Sequence, residues 1–399
     1  MAGQSAHGNN RLLLSGLRNE GGRLLIDWAD SHESCFPAIA LRASCQCELC
    51  GSYRTAHRNC RLTDVPAAVE IAQASLDDGG VEVTWRHDNH VSRFDAKWLR
   101  ANCNSPRERA YRRWRPHHWT QAIESELPSF AYERCIGDES ARLDMLEALR
   151  DYGFAIVSGA PLDPDRTESI AGLVGPLRDQ VSGKVYDVRY NPDPEYYADT
   201  RNAIAPHTDG PYRHSPPAIT CFHFITAATS GGESTLTDAF RIGADIKAHD
   251  AKAFELLARI PVTFHRRLYR RDKDYRIRAP IFCLDEEGEI AGFRLLDRAI
   301  GPVDAAQDDI EPFYVALRML LEMLYDESNQ AAVPMQSGDV LFFNNHRVMH
   351  GRQAFDPQTG RHMRSCNIEI DEFNSSLRFL ADRLGREGAD MVLPHGALT

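Results

Sequence analysis

The segment Pro206-His207-Thr208-Asp209-Gly210 sets an imidazole and a carboxylate two residues apart. On an extended strand such residues share a face, so both can reach one cation. A second imidazole must come from elsewhere. Asn345-His346-Arg347-Val348-Met349-His350-Gly351 offers two, His346 and His350, and their four-residue spacing keeps them from serving together on one straight strand. Two histidines and one carboxylate on a single face of iron leave three positions open for reactants. Four protein ligands would close the site and make it structural. A His-x-Asp alone is a common accident that describes an ordinary surface or core histidine. The ordered set carries more weight: Gly231-Gly232-Glu233-Ser234-Thr235 follows, then Gly338-Asp339-Val340-Leu341-Phe342-Phe343 leads into the two histidines, with Arg361 beyond them.

A second cluster lies far upstream, where Cys45-x-Cys47-x-x-Cys50 packs three thiols into six residues. Ten cysteines in a secreted chain would suggest disulfides, but such crowding in a reducing compartment points to a metal. With a fourth ligand the cluster becomes a closed, structural zinc site. Spacing allows His90, His87, Cys60 or Cys103 in that role. The plain alternative, three unmetallated core cysteines, would require burying neighbouring thiols apart from one another.

These groups need elements to hold them. Ser140 is placed to cap a helix carrying Leu143, Met145, Leu146 and Leu149, ending near Gly153. Phe154-Ala-Ile-Val-Ser reads as a buried strand, a second helix is expected after Asp165, and a third spans Pro312 to Tyr325. Strand-like runs fall at 219–225, 234–239, 262–268, 339–343 and 363–370. Most pairs have no helix between them, which suits an antiparallel sandwich or barrel. Upstream, Arg23–Trp28 and Gly80–Trp85 read as strands flanking the cysteines. No internal repeat is expected. The fold class is α+β, mainly β, with a small β-rich domain at 1–104, a basic, proline-bracketed linker at 105–124, and a large domain at 125–399.

Composition sets limits on function. At 43% hydrophobic and 26% charged the chain can bury large cores. Its net charge of -11 weighs against a nucleic-acid partner. The short basic stretches 107–115 and 266–273 read as solvated faces or loops. No apolar run is long enough for a membrane span, and the polar start Met-Ala-Gly-Gln-Ser-Ala-His lacks a signal-peptide core, so a cytoplasmic protein is expected.

In order, spacing and local sequence, the His-Thr-Asp and His-Gly-Arg segments resemble the taurine dioxygenase superfamily, and more closely its γ-butyrobetaine dioxygenase branch. The likeness extends over most of the chain, including the cysteine cluster. It implies a double-stranded β-helix, or jelly roll, with Fe(II) held by His207, Asp209 and His350, the histidine just before Gly-Arg being the distal ligand. It also implies 2-oxoglutarate and O2 as co-substrates, with succinate and CO2 released as a substrate is hydroxylated. A 2-oxoglutarate carboxylate needs a cation, and the planar fork of arginine suits it. Arg361 and Arg364 both follow His350; the family's Arg-His-hydrophobic pattern favours Arg361, with Ser234 as a second donor. The resemblance likewise favours His90 as the fourth zinc ligand and a homodimer.

The substrate end departs from the branch. Tyr186 matches one position of its trimethylammonium cage, but two other aromatic positions correspond to Ser182 and Asp199 here. Arg298 stands where relatives bind a substrate carboxylate, although an Asp297–Arg298 surface pair would explain it equally well. A small zwitterionic amine, its cation toward Asp199 and its anion toward Arg298, is the expected substrate. A γ-butyrobetaine-type hydroxylase, a desaturase or cyclase on the same scaffold, and a non-catalytic zinc-binding interaction protein are the alternatives.

Overall fold

The computed structural model describes residues 8–52, 55–181 and 183–386. The chain forms two compact units, Met1–Trp114 and Arg115–Thr399. The stretch expected as a linker is structured. Ser105 caps a helix at Pro106–Arg112, accepting from the Glu108 N–H, and Thr120 caps the turn Gln121–Ser125. Proline at the first helical position after a serine marks a helix start, which the proline-bracketed reading passed over.

In the larger unit the strands form two antiparallel-rich sheets. Six strands run in the order 185–189, 362–368, 219–226, 340–344, 154–158 and 129–131, and four in the order 204–207, 348–352, 234–238 and 331–333. Alternation explains the layers. Phe154, Ile156, Phe224, Leu341 and Phe343 from the first sheet share one core with Leu236, Val333 and Val348 from the second. The opposite face of the six-stranded sheet, with Ala155, Val157, Cys221 and Phe342, packs on the helices Glu139–Tyr152 and Ile370–Arg383. This is a sandwich of jelly-roll type, not a closed barrel.

The expected elements are shifted in detail. Asp138 rather than Ser140 caps the first helix, its carboxylate accepting from the Ser140 N–H at 2.8 Å, and Gly153 ends it at φ 81°. The third helix begins earlier, at Gln307, with Pro312 inside it. Strand Val262–Leu268 leaves the sandwich and pairs with Lys273–Ala279 as a separate hairpin, with one further bridge from Phe264 to Ile300.

The smaller unit contains a repeat that was not expected. Strands Leu14–Glu20, Arg23–Trp28 and Glu33–Pro37 form one meander followed by the helix Ala38–Ala43. Strands Ile71–Asp77, Gly80–Trp85 and Val91–Asp95 form another, followed by the helix Ala96–Ala101. Trp28 donates to Ser34 at 2.8 Å, and Trp85 donates to Ser92 at 2.8 Å. Ser31 and Asn89 both take positive φ in the intervening turns. The copies share a residue pattern at one constant offset: His32, Ser34, Phe36, Ala38, Leu41, Arg42, Ala43 and Cys45 recur as His90, Ser92, Phe94, Ala96, Leu99, Arg100, Ala101 and Cys103, so the repeat is legible in the sequence itself.

One buried ion pair ties the larger unit together just before His350. Arg347 donates to both Asp238 oxygens at 3.1 and 2.9 Å, and to the carbonyls of Asp151 and His117 at 2.7 Å each. Asp238 in turn caps the helix Ala239–His249. Both side chains are almost fully buried. Replacing Arg347 by Met strands the carboxylate, and we expect a loss of about 3–5 kcal/mol in stability, read from urea unfolding.

Candidate metal centres

His207 ends the strand Ile204–His207, which pairs with Val348–Arg352 so that His207 lies directly opposite His350. Their rings are 4.3 Å apart between centroids. Asp209 follows just beyond the strand end, where Asn345 clamps its backbone: the Asp209 N–H donates to Asn345 Oδ1 at 2.7 Å, and Asn345 Nδ2 donates to the Asp209 carbonyl at 3.0 Å. Thr208 points the other way and bonds to the Leu295 backbone. The outcome is convergence. His207 Nε2 is 3.6 Å from one Asp209 oxygen and His350 Nε2 is 3.8 Å from the other, with the three ligand atoms within 4.8 Å of one another.

The donor set fits a divalent iron. The Nδ1–H of His207 donates to the Ala205 carbonyl at 3.0 Å, which leaves the Nε2 lone pair facing Asp209. Burial, aided by the nearby His207, lowers the His350 pKa to about 3, so its imidazole is neutral. Burial pushes the Asp209 carboxyl up, but His350, His207 and Arg298 outweigh it and hold the group at about 2. Neutral imidazoles and an ionised carboxylate are the forms that bind metal. His346 does not join them. Its ring is buried with Nε2 3.3 Å from the Pro216 carbonyl.

A cleft of about 670 Å³ opens on these ligands. Arg361, Ser234, Tyr186, Asp199 and Arg298 all line it. Arg361 is buried between the rings of Phe224 and Phe355 and has no hydrogen-bonding or ion-pairing partner among the described residues. Burial, with Arg352 beside it, lowers its pKa to about 10, so it remains a cation. Arg364 is already engaged. It donates to the Pro164 carbonyl at 3.0 Å and lies 3.6 Å from Asp187. An uncommitted buried guanidinium can receive an anion, and among the described residues Arg361 is such a group on the cleft.

Among the other cleft residues, Tyr186 is partly buried and its hydroxyl accepts from Ser365 at 3.0 Å. Burial and the Asp209 carboxylate hold its phenol well above the usual range, so it stays protonated. Asp199 sits in the turn Tyr197–Asp199 with no ion-pair partner among the described residues. Burial raises its pKa, with Arg352 drawing it back. Arg298 lies 5.3 Å from the Tyr197 ring. Asp297 does not pair with the Arg298 guanidinium; its carboxylate accepts from the Arg298 N–H and from the Tyr325 hydroxyl. Ser182 lies outside the described residues.

Arg352 was missed in the sequence. It lies two residues beyond His350, is buried, and donates to the carbonyls of Ala198, Thr200 and Asn202 at 2.6–2.8 Å. It therefore staples the loop that carries Asp199. Its position after His350 and Gly351 was the available signal; that it bonds to main chain rather than to a reactant was not readable.

In the smaller unit the cysteine cluster closes. His90 Nε2 lies 3.3, 3.5 and 3.4 Å from the sulfurs of Cys45, Cys47 and Cys50. Bonds of about 2.0 Å to nitrogen and about 2.3 Å to sulfur put the edges of a tetrahedron at roughly 3.5 Å, which matches. His87 instead contacts Asp88 at 3.2 Å, Cys103 faces His32 at 3.4 Å, and Cys60 contacts its neighbour's carbonyl. Burial pushes the Cys50 thiol up to about 12, against the pull of Arg42, so a thiolate there would need a bound cation to stabilise it.

Residues 115–367 match the family described as taurine catabolism dioxygenase TauD, TfdA. The chain belongs to the TauD, TfdA family. It is an iron(II)- and 2-oxoglutarate-dependent dioxygenase. Residues 16–86 match a second family, the γ-butyrobetaine hydroxylase-like N-terminal region. This TauD-family chain is 31% identical over 360 residues to the γ-butyrobetaine dioxygenase of Pseudomonas sp. strain AK-1, covering 89% of this chain and 93% of that protein. It is 26% identical to the human γ-butyrobetaine dioxygenase, covering 92% and 96%. To the trimethyllysine dioxygenase of Meyerozyma guilliermondii it is also 26% identical, covering 92% and 95%. Among the described residues no helix is long and apolar enough to cross a membrane.

Iron(II) with 2-oxoglutarate, when bound, supplies the oxygen activation that no side chain can. The protein's own residues fix the geometry. Phe343 and Phe222 pack on the His350 ring at 4.8 and 5.4 Å and shield it from water. A charged hydrogen bond is worth about 1.5–3 kcal/mol, roughly ten- to hundredfold in affinity. Arg361→Met should raise KM for 2-oxoglutarate by that factor, whereas Arg364→Met should leave it nearly unchanged in succinate-release kinetics.

Proposed function

We propose that this dioxygenase hydroxylates a small zwitterionic amine, holding iron with His207, Asp209 and His350 and 2-oxoglutarate with Arg361 and Ser234. The observation that carries the substrate reading is Asp199, a half-buried carboxylate without an ion-pair partner among the described residues, on the same cleft as Arg298 and the iron ligands. A buried carboxylate is costly unless a cation meets it, and a substrate ammonium meets that need. Tyr186 supplies an aromatic wall beside it, and Arg298 takes the anionic end, a carboxylate or phosphonate.

A second reading is hydroxylation of a trimethylammonium substrate such as γ-butyrobetaine or trimethyllysine. The named relatives favour it, and so do Tyr196, Tyr197 and Tyr212 on the cleft. A quaternary ammonium donates no hydrogen bond, so it would gain less from Asp199 than a primary or secondary amine does. In the same proposal Cys45, Cys47, Cys50 and His90 hold a structural zinc in a small domain separate from the chemistry. A reducing compartment, the cytoplasm, keeps those thiols available, and the enzyme works there as a homodimer.

The test is succinate release from 2-oxoglutarate with Fe(II), screened over primary amines, betaines and aminophosphonates. His207→Ala should abolish it. γ-Butyrobetaine turned over as efficiently as the best primary amine would overturn the zwitterionic-amine reading. With the preferred substrate, Asp199→Asn should raise KM about tenfold or more. The carboxylate binds a cation only when ionised, and its folded pKa is raised. Binding is therefore present above that pKa and lost as pH falls through it. The acid limb of kcat/KM should lie above the ordinary aspartate value near 3.9 and vanish in Asp199→Asn.

A further inference from the structure

The repeat in the smaller unit extends to its metal cluster. At one constant offset, Asp30, His32, Arg42 and Cys45 correspond to Asp88, His90, Arg100 and Cys103. Contacts between the copies are exchanged symmetrically. His90 faces Cys45 at 3.3 Å, and His32 faces Cys103 at 3.4 Å. Arg42 donates to Asp88 at 2.9 Å, and Arg100 donates to Asp30 at 2.8 Å. Continuing at the same offset, Cys47 corresponds to Ser105 and Cys50 to Glu108. These pairs also occupy matching places. Ser105 Oγ is 3.5 Å from His32 Nε2, as Cys47 Sγ is 3.5 Å from His90 Nε2. Arg42 donates to Cys50 at 3.3 Å, and Arg100 donates to Glu108 at 2.8 Å.

We infer that the smaller unit is a two-fold repeat of one metal-binding framework, and that His32, Cys103, Ser105 and Glu108 form its second site, with the thiophilic cation replaced by the Arg100–Glu108 ion pair. The physical exchange is consistent. Three thiolates need a divalent cation together with Arg42 to balance them, whereas one buried carboxylate needs only a guanidinium. Glu108 and Arg100 are both almost fully buried, and Arg11 supplies a second positive group to the same carboxylate. Each arrangement fastens the segment after its helix to the turn of the opposite copy. In the first copy a cation would make the tie; in the second Glu108 holds Arg100, which donates to Asp30 in the opposite turn.

This inference rests on zinc at the Cys45 cluster, and the test separates the two. Full-length protein, carrying His207→Ala and Asp209→Ala in every sample so that the iron site takes up no zinc (wild type below refers to the smaller unit), is prepared with zinc and its content measured by mass spectrometry. Cobalt substitution reads tetrahedral thiolate sites by their visible absorption. Wild type should hold one zinc per chain, and the double variant S105C/E108C should hold two, with cobalt absorption about doubled. Wild type with none overturns the zinc assignment itself. Wild type with one and a folded double variant with one overturns the second site. If the double variant does not fold, the reciprocal variant C47S/C50E decides. It should contain no zinc and keep its far-ultraviolet circular dichroism in chelator, because Arg42 then meets a carboxylate as Arg100 does. Unfolding of that variant overturns the inference.

Discussion

The register that sets His207 opposite His350 governs the larger unit. Side chains alternate along a strand, so a slip of one residue would turn every ligand to the other face. With this register, His350 and Arg352 project on one side of their strand. One meets His207 and Asp209; the other grips the loop that holds Asp199. On the next strand, Ser234 lies opposite Arg352. The candidate iron ligands, Ser234 and the loop that carries Asp199 are thus fixed by two pairings of three neighbouring strands. Asn345 adds the one contact the strands cannot, holding Asp209 where the chain has left the sheet.

Charge follows a consistent rule in the interior. Where a buried ion serves the fold it is satisfied by counter-ions or by main chain: Arg347 has Asp238, Arg100 has Asp30 and Glu108, and Arg352 has three backbone carbonyls. Arg361 and Asp199, both on the cleft, break that rule among the described residues. Leaving them unmatched costs stability, a cost that bound ions of opposite sign would offset. The many exposed pairs, such as Arg318 with Glu322, contribute about 0–1 kcal/mol each and do not decide the architecture.

The smaller unit shows how similar frameworks reach closure by different chemistry. Its two copies retain the tryptophan–serine bond, the left-handed turn residue and the arginine–aspartate exchange. They differ where the segment after the helix must be anchored. Three thiols converge on His90 in one, and Glu108 converges on Arg100 in the other.

The sequence by itself determined the ligand types, the two-residue spacing of His207 and Asp209, and the mainly β composition of the larger unit. Its alternating apolar residues marked most strands, because alternation is local. Local spacing could not choose between His350 and His346, or between Arg361 and Arg364. Tertiary structure places His346 against Pro216 and gives Arg364 its own partners. Nor could spacing show Arg352 bonding to the Asp199 loop, a contact spanning about 150 residues. The repeat in the smaller unit was legible in the pattern that His32 to Cys45 shares with His90 to Cys103, but only folding shows that the copies exchange partners, bringing Cys45 to His90 and Cys103 to His32. Residue type fixes what chemistry is available; long-range packing decides which groups meet.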